Sequence, residues 1–275
     1  MRRAGKLLAG VAAGLMVMSM VAGCGSSEGG SSEPKKKKET VKEYVDEADY
    51  DELYTNPDKY KGKYVKISGQ VFLEPERDGD YIYFQMWEDP ANSEGNTIVK
   101  ASADVKVKSE DYIIVDGEVT GKFEGENYFG GTVTAPKIEN ATVEVVDYIT
   151  AVAPTVKEKV VDSTQDQYGY AVTVQKIEFA DNETRVYVSI ANNGSSTFNC
   201  YSFNAKIVQD GKQISSESNF FAGYPEIESD LLSGASTEGI ITFPALNPDV
   251  ALDLYIDGYS NDWEEQVETY TYTVE

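Results

Sequence analysis

Alternation constrains this chain more than any other feature. From Tyr64 to Leu73, Val65, Ile67, Val71 and Leu73 fall on one face and Lys66, Ser68 and Gln70 on the other. That is the period of a strand buried on one side only. The period recurs from Tyr81 to Trp87, with Ile82, Phe84 and Met86 on one face and Tyr81, Tyr83, Gln85 and Trp87 on the other. Further strands are predicted over Thr97–Ala103, Tyr112–Thr120 and Gly131–Val146, the last with a break near Pro136. Gly69 in mid-strand predicts a bend, and Arg77-Asp78-Gly79-Asp80 a tight turn. Five curved strands behind a short helix in 41–61, interrupted at Asn56-Pro57, predict a small closed barrel over 41–147.

The stretch 148–167 has mixed polarity and reads as a linker. Alternation then returns through Tyr170–Phe179, Glu183–Ile190, Phe198–Val208, Gly239–Phe243, Leu252–Ile256 and Thr269–Val274, with Asp210-Gly211 closing a hairpin. Seven or eight strands at this spacing predict a β-sandwich over 168–275, so the fold class is mainly β throughout.

The start of the chain obeys a different rule. Met1 to Lys6 is basic, and Leu7 to Val21 is an uncharged, largely apolar run, short for a permanent bilayer span. Val21-Ala22-Gly23-Cys24 resembles the lipobox of bacterial lipoproteins. That resemblance implies a signal peptide over 1–23 and acyl chains of the palmitate type on Cys24, anchoring the protein at the outer side of the cell membrane. Each buried methylene contributes about 0.8 kcal/mol to such an anchor. Residues 24–40, rich in Gly and Ser and ending in Lys35 to Lys38, then form a flexible tether.

Two more resemblances bear on the body. Leu53-Tyr54-Thr55-Asn56-Pro57-Asp58-Lys59-Tyr60-Lys61-Gly62-Lys63-Tyr64-Val65, with Asp111-Tyr112-Ile113-Ile114-Val115-Asp116-Gly117-Glu118-Val119, resembles the tRNA-anti-like OB-fold family of exported proteins. Ile190-Ala191-Asn192-Asn193-Gly194-Ser195, Ala205 to Gln213 and Leu231-Leu232-Ser233-Gly234 with Phe243-Pro244 resemble the telokin-like, immunoglobulin-like domains of Gram-positive lipoproteins. Both imply display or binding and carry over no catalytic residue.

Composition narrows the chemistry. There is no histidine, which removes the commonest general base, the Ser-His-Asp arrangement and most zinc sites. Removal of Arg2, Arg3 and Lys6 with the signal leaves an acidic excess of 26. Between Val41 and Asp147 there are 11 basic and 24 acidic residues, which argues against nucleic acid as a partner. With Cys24 acylated, Cys200 has no disulfide partner, and it reads as core filler.

The candidate ligand-binding residues are the outward aromatics Tyr81, Tyr83 and Trp87, which either stack on a ligand or are covered by the helices or the second half. Asp78 and Asp80, and Asp257, Asp262, Glu264 and Glu265, lack calcium-loop spacing and read as ordinary acidic loops, so no metal and no cofactor is expected. The expectation is therefore a non-catalytic lipoprotein serving as a binding or interaction module at the cell surface, with the membrane and a cell-wall or protein partner. A solute-, peptide- or wall-glycan-binding accessory using the aromatic face is the alternative. A carboxylate-dependent hydrolase stands last.

Overall fold

The computed structural model describes residues 41–126 and 131–275. The signal peptide expected over 1–23, Cys24 and the tether expected over 24–40 lie outside the described residues. No helix among the described residues is long and apolar enough to cross a membrane.

The chain enters along the first half. The segment around Tyr44 forms a parallel bridge to Tyr64, with Val45 N–H donating to the Tyr64 carbonyl and Tyr64 N–H to that of Glu43, both at 2.8 Å. Lys42 Nζ and the Tyr44 hydroxyl reach the Asp116 carboxylate at 2.9 and 2.8 Å. A 3-10 turn at Glu47–Asp49, capped by Asp46, leads into α1 (Tyr50–Thr55). The helix stops at Asn56, because the following Pro57 disfavours helical backbone there, and a second 3-10 turn runs Pro57–Tyr60. Leu53 and Tyr60 are buried beneath these turns.

Six strands follow: β1 (Tyr64–Val71), β2 (Glu76–Asp78), β3 (Tyr81–Asp89), β4 (Glu94–Ser102), β5 (Tyr112–Glu126) and β6 (Thr132–Val146). Five of them make a ring of order β1-β5-β6-β4-β3 and back to β1, with β4 and β6 parallel and the other neighbours antiparallel. Strand β2 adds to the outer side of β3. The ring closes through only two pairs, Gln70↔Trp87 and Val71↔Met86. Gly69 borders that seam, where a Cβ would lie 2.0 Å from the Trp87 carbonyl oxygen. Only glycine admits so close a backbone approach, so the bend expected at Gly69 is where the ring shuts.

The inward residues match the alternation, with Val65, Ile67, Val71, Ile82, Phe84, Met86, Val99, Ile113 and Val115 forming one core. Leu73 departs from it: β1 ends at Val71 and Leu73 is exposed. Pro136 does not break β6 as expected. It pairs with Lys122 of β5 on one side, and on the other β4 begins to pair only at Lys137.

Residues 148–167, expected as a linker, are ordered. Helix α2 (Tyr148–Ala151) is capped by Asp147, and β7 (Lys157–Gln167) pairs along its length with β8 (Tyr170–Phe179). The hairpin turns at Tyr168-Gly169, both at positive φ. β7 escaped the periodicity because it is an edge strand with little apolar content, its Val160 lying outward and exposed.

The second half continues with β9 (Glu183–Asn192), β10 (Phe198–Cys200), β11 (Lys206–Gln209), β12 (Lys212–Ser215), β13 (Asp230–Leu231), β14 (Ser236–Pro244), β15 (Leu252–Ile256), β16 (Gly258–Ser260) and β17 (Tyr270–Val274). Sheets β14-β9-β8-β7 and β12-β11-β15-β17, with the small sheet β13-β10-β16, share one hydrophobic core. The strand expected over Phe198–Val208 is divided: a 3-10 turn at Ser202–Asn204 passes the chain from the small sheet to the β11 sheet. Two buried tyrosines tie the large sheets together, Tyr270 Oη donating to the Tyr170 carbonyl and Tyr272 Oη to that of Val172, each at 2.7 Å.

Candidate functional site

β3 carries the aromatic residues singled out in the sequence, and the structure divides them. Because Ile82, Phe84 and Met86 point into the ring, Tyr81, Tyr83, Gln85 and Trp87 point out. Tyr81 is 47% exposed and Tyr83 half-buried. Cross-strand pairing sets Lys100 of β4 opposite Tyr83, and its ammonium lies 4.1 Å from the Tyr81 ring centroid and 5.9 Å from that of Tyr83. Glu139 of β6 approaches the same lysine at 3.7 Å. This end of the strip is two phenols flanking one cation, with hydroxyls free to exchange hydrogen bonds.

Trp87 belongs to another neighbourhood. It stacks on Phe72 with centroids 4.0 Å apart and planes at 14°. The pair forms one wall of a cleft of about 540 Å³ between the halves of the molecule, lined also by Gln70, Pro90, Ser93, Ser109, Glu110 and Tyr112. Phe220 and Phe221, from the loop after β12, also line it. The Tyr112 hydroxyl donates to the Phe221 carbonyl at 2.7 Å. Phe220 is 85% exposed and Phe221 57%, an unusual display for consecutive phenylalanines. The other side of this loop borders a smaller hollow of about 260 Å³, lined by Phe203, Tyr224, Ile227 and Ile240 among others.

A buried charged network holds the loop in place. Arg185 of β9 is fully buried and all five of its guanidinium N–H groups are used. Nε donates to Glu178 Oε2 at 3.1 Å, one terminal nitrogen to the Ala153 carbonyl at 2.9 Å and Glu183 Oε1 at 2.7 Å, and the other to Thr155 Oγ1 at 2.7 Å and Glu178 Oε2 at 3.0 Å. Glu183 also accepts from Tyr224 Oη at 2.5 Å and Asn219 Nδ2 at 2.7 Å, and Asn219 reaches the Tyr148 hydroxyl at 3.0 Å. Tyr148 packs edge-on against Tyr112 of the ring, centroids 5.3 Å apart. One polar chain thus links β9, the connecting segment, the Phe220-Phe221 loop and β5. Burial alone would push the Glu178 carboxyl up, but hydrogen bonds from Lys176, Thr155, Tyr187 and Arg185 outweigh it and hold it down at about 2. With each charge paired and each donor used, the cluster is a joint rather than a poised acid or base.

The acidic candidates are scattered among separate tasks. Asp257 accepts from Thr269, Glu265 from Tyr170 and Ser260, and Asp262 from the Glu264 N–H. Asp78 sits in the short pairing with Tyr81, beside the turn through Gly79 and Asp80. No group of three or more potential metal ligands converges among the described residues. Cys200 is free and buried in the second core, and burial pushes its thiol up to about 12, which keeps it unreactive at neutral pH.

Sequence reasoning found Trp87 but missed Phe72, Glu110, Tyr112, Phe220 and Phe221. A usable signal was present: Phe220-Phe221 interrupts a polar run, Ser215-Ser216-Glu217-Ser218-Asn219, where no strand period accounts for it.

No family model matches the chain, and no curated protein matches it. Among solved structures, the chain is similar to a functionally unknown protein from Listeria monocytogenes EGD-e, at 12% identity and a TM-score of 0.35, covering 47% of this chain and 91% of that one. Likeness at that level carries no argument about fold or function, which therefore rest on the geometry of this chain.

Proposed function

We propose that this protein is a lipid-anchored, non-catalytic binding module at the outer face of the cell membrane. Cleavage before Cys24 leaves an acylated cysteine and a tether, which display an OB-fold followed by an immunoglobulin-like sandwich. The ring order with its parallel β4–β6 pair supports the OB-fold reading, and two facing sheets on one core support the sandwich. The absence of histidine and the fully paired state of the buried charges favour binding over catalysis.

One observation carries the reading furthest: the Tyr81–Tyr83–Lys100 strip faces outward on β3 and β4, strands that in an OB-fold present the ligand side. Phenol faces beside an ammonium suit stacking on sugar rings together with a hydrogen bond to a carboxylate or hydroxyl, as a wall glycan or its peptide would offer. Co-sedimentation of the mature chain with insoluble cell-wall polymer tests this. Tyr83→Ala is expected to lower the bound fraction without moving the melting temperature, and equal retention would sink the strip as a site. Anchoring is tested separately: Cys24→Ala is expected to move the protein from the membrane fraction to the medium, and unchanged fractionation would refute it.

A further inference from the structure

We propose that the cleft between the two halves is a second binding site, specific for an organic cation, an ammonium group seated among the rings of Trp87, Tyr112, Phe220 and Phe221 and facing the Glu110 carboxylate. The site is distinct from the Tyr81–Tyr83 strip and does not depend on the lipid anchor.

The first ground is chemical. Aromatic faces carry negative potential and attract ammonium groups, best when several rings share the cation and water is partly excluded. The rings come from both halves of the molecule, and the Tyr112 hydroxyl joins the two halves there by donating to the Phe221 carbonyl at 2.7 Å. The second ground is charge. The lining contains no lysine or arginine and one ionised group, Glu110, in a chain whose formal charge is −23. An anion would meet repulsion there, and a neutral ligand would leave that carboxylate unused.

The third ground is how Glu110 is held. Its backbone sits at φ 72°, a left-handed conformation unusual for a residue of this kind, fixed by its N–H donating to the Val71 carbonyl at 2.8 Å and its carbonyl accepting from Gln70 Nε2 at 3.3 Å. Its carboxylate takes part in no salt bridge with another described residue, and the nearby Lys108 is already paired with Asp111 at 2.7 Å. The carboxylate is therefore available to a ligand.

Intrinsic fluorescence tests this on the mature chain carrying Trp263→Phe. Trp263 is 80% exposed and outside the cleft, so its removal leaves Trp87 as the sole tryptophan. Choline is titrated against its uncharged isostere 3,3-dimethylbutan-1-ol, with sodium chloride matching ionic strength. The expected result is saturable quenching by choline, with the neutral isostere about tenfold weaker or worse. Adding Glu110→Gln, an exposed substitution that spares the core, is expected to weaken choline severalfold, and Phe221→Ala to abolish saturation while the circular dichroism spectrum is kept. Equal affinity for choline and the isostere, no saturable response, or an unchanged affinity in Glu110→Gln would each overturn the proposal. Loss of wall binding by Tyr83→Ala leaves this outcome unaffected, so the two sites fail independently.

Discussion

Replacing Arg185 with methionine tests the reasoning about the buried joint. Methionine fills much of the same volume but removes all five hydrogen bonds at once, leaving buried Glu183 without its cation and buried Glu178 without one of its two. Breaking a buried pair from one side costs about 3–5 kcal/mol, since the partner's desolvation is no longer offset. The remaining donors moderate the loss: Lys176, Thr155 and Tyr187 still reach Glu178, and Tyr224 and Asn219 still donate to Glu183.

The pH dependence supplies the sharper check. In the native protein the Glu178 carboxyl lies at about 2 against 4.5 when unperturbed, so its contribution is present above 4.5 and is lost as pH falls toward 2. That shift is worth at most about 3 kcal/mol. In Arg185→Met the balance at Glu178 moves toward burial, so protonating that carboxyl costs the variant less than it costs the native protein as pH falls. Both effects act in one direction, and the stability gap between the two proteins should shrink steadily from neutral to acid pH. Urea denaturation followed by Trp87 and Trp263 emission, one in each half, measures it. A cost below about 1 kcal/mol at neutral pH, or a gap independent of pH, would refute the account of the network as an obligatory joint.

Other outcomes follow from single atoms. Gly69→Ala places a methyl against the Trp87 carbonyl at the ring seam and is expected to cost at least about 2 kcal/mol, read as a fall in the denaturation midpoint of the Trp87 signal. Glu110→Gly removes a side chain from a left-handed backbone position and should raise stability by about 0.5–1 kcal/mol in thermal unfolding, while lowering choline affinity. Tyr272→Phe leaves the buried Val172 carbonyl without its hydroxyl donor and should cost about 1–2 kcal/mol by urea titration, with little change in cooperativity.

The sequence disclosed strands where two faces meet different surroundings. β3 and β8 are of this kind, one side packed on a core and the other wet or half-buried, and their limits were readable nearly to the residue. β7 was not, because an exposed edge needs no apolar face. At Phe198–Val208 both parts of the stretch bury apolar residues, so periodicity ran through a turn that exists only because the chain changes sheets at Tyr201–Asn204. Arg185 lies inside the strand read over Glu183–Ile190, and nothing in that stretch marks it for burial. It is buried because residues 153–155 and the 219–224 loop cover the start of β9, and neither is near it in sequence. The cleft is illegible for the same reason, since Trp87 and Phe221 are brought together by the joint and not by any local pattern.

The parallel bridge between Tyr44 and Tyr64 has a mechanical consequence. A force arriving from the N-terminal side would draw the Tyr44 segment along β1, so its two backbone bonds and the contacts of Lys42 and Tyr44 to Asp116 would be loaded together in shear rather than peeled one by one. Beyond that clasp, the next resistance is Val45 and Leu53 leaving the core, while the hydrogen-bonded ring is a closed circuit that the pull does not open. The entry segment would then act as a shock absorber, yielding before the ring does.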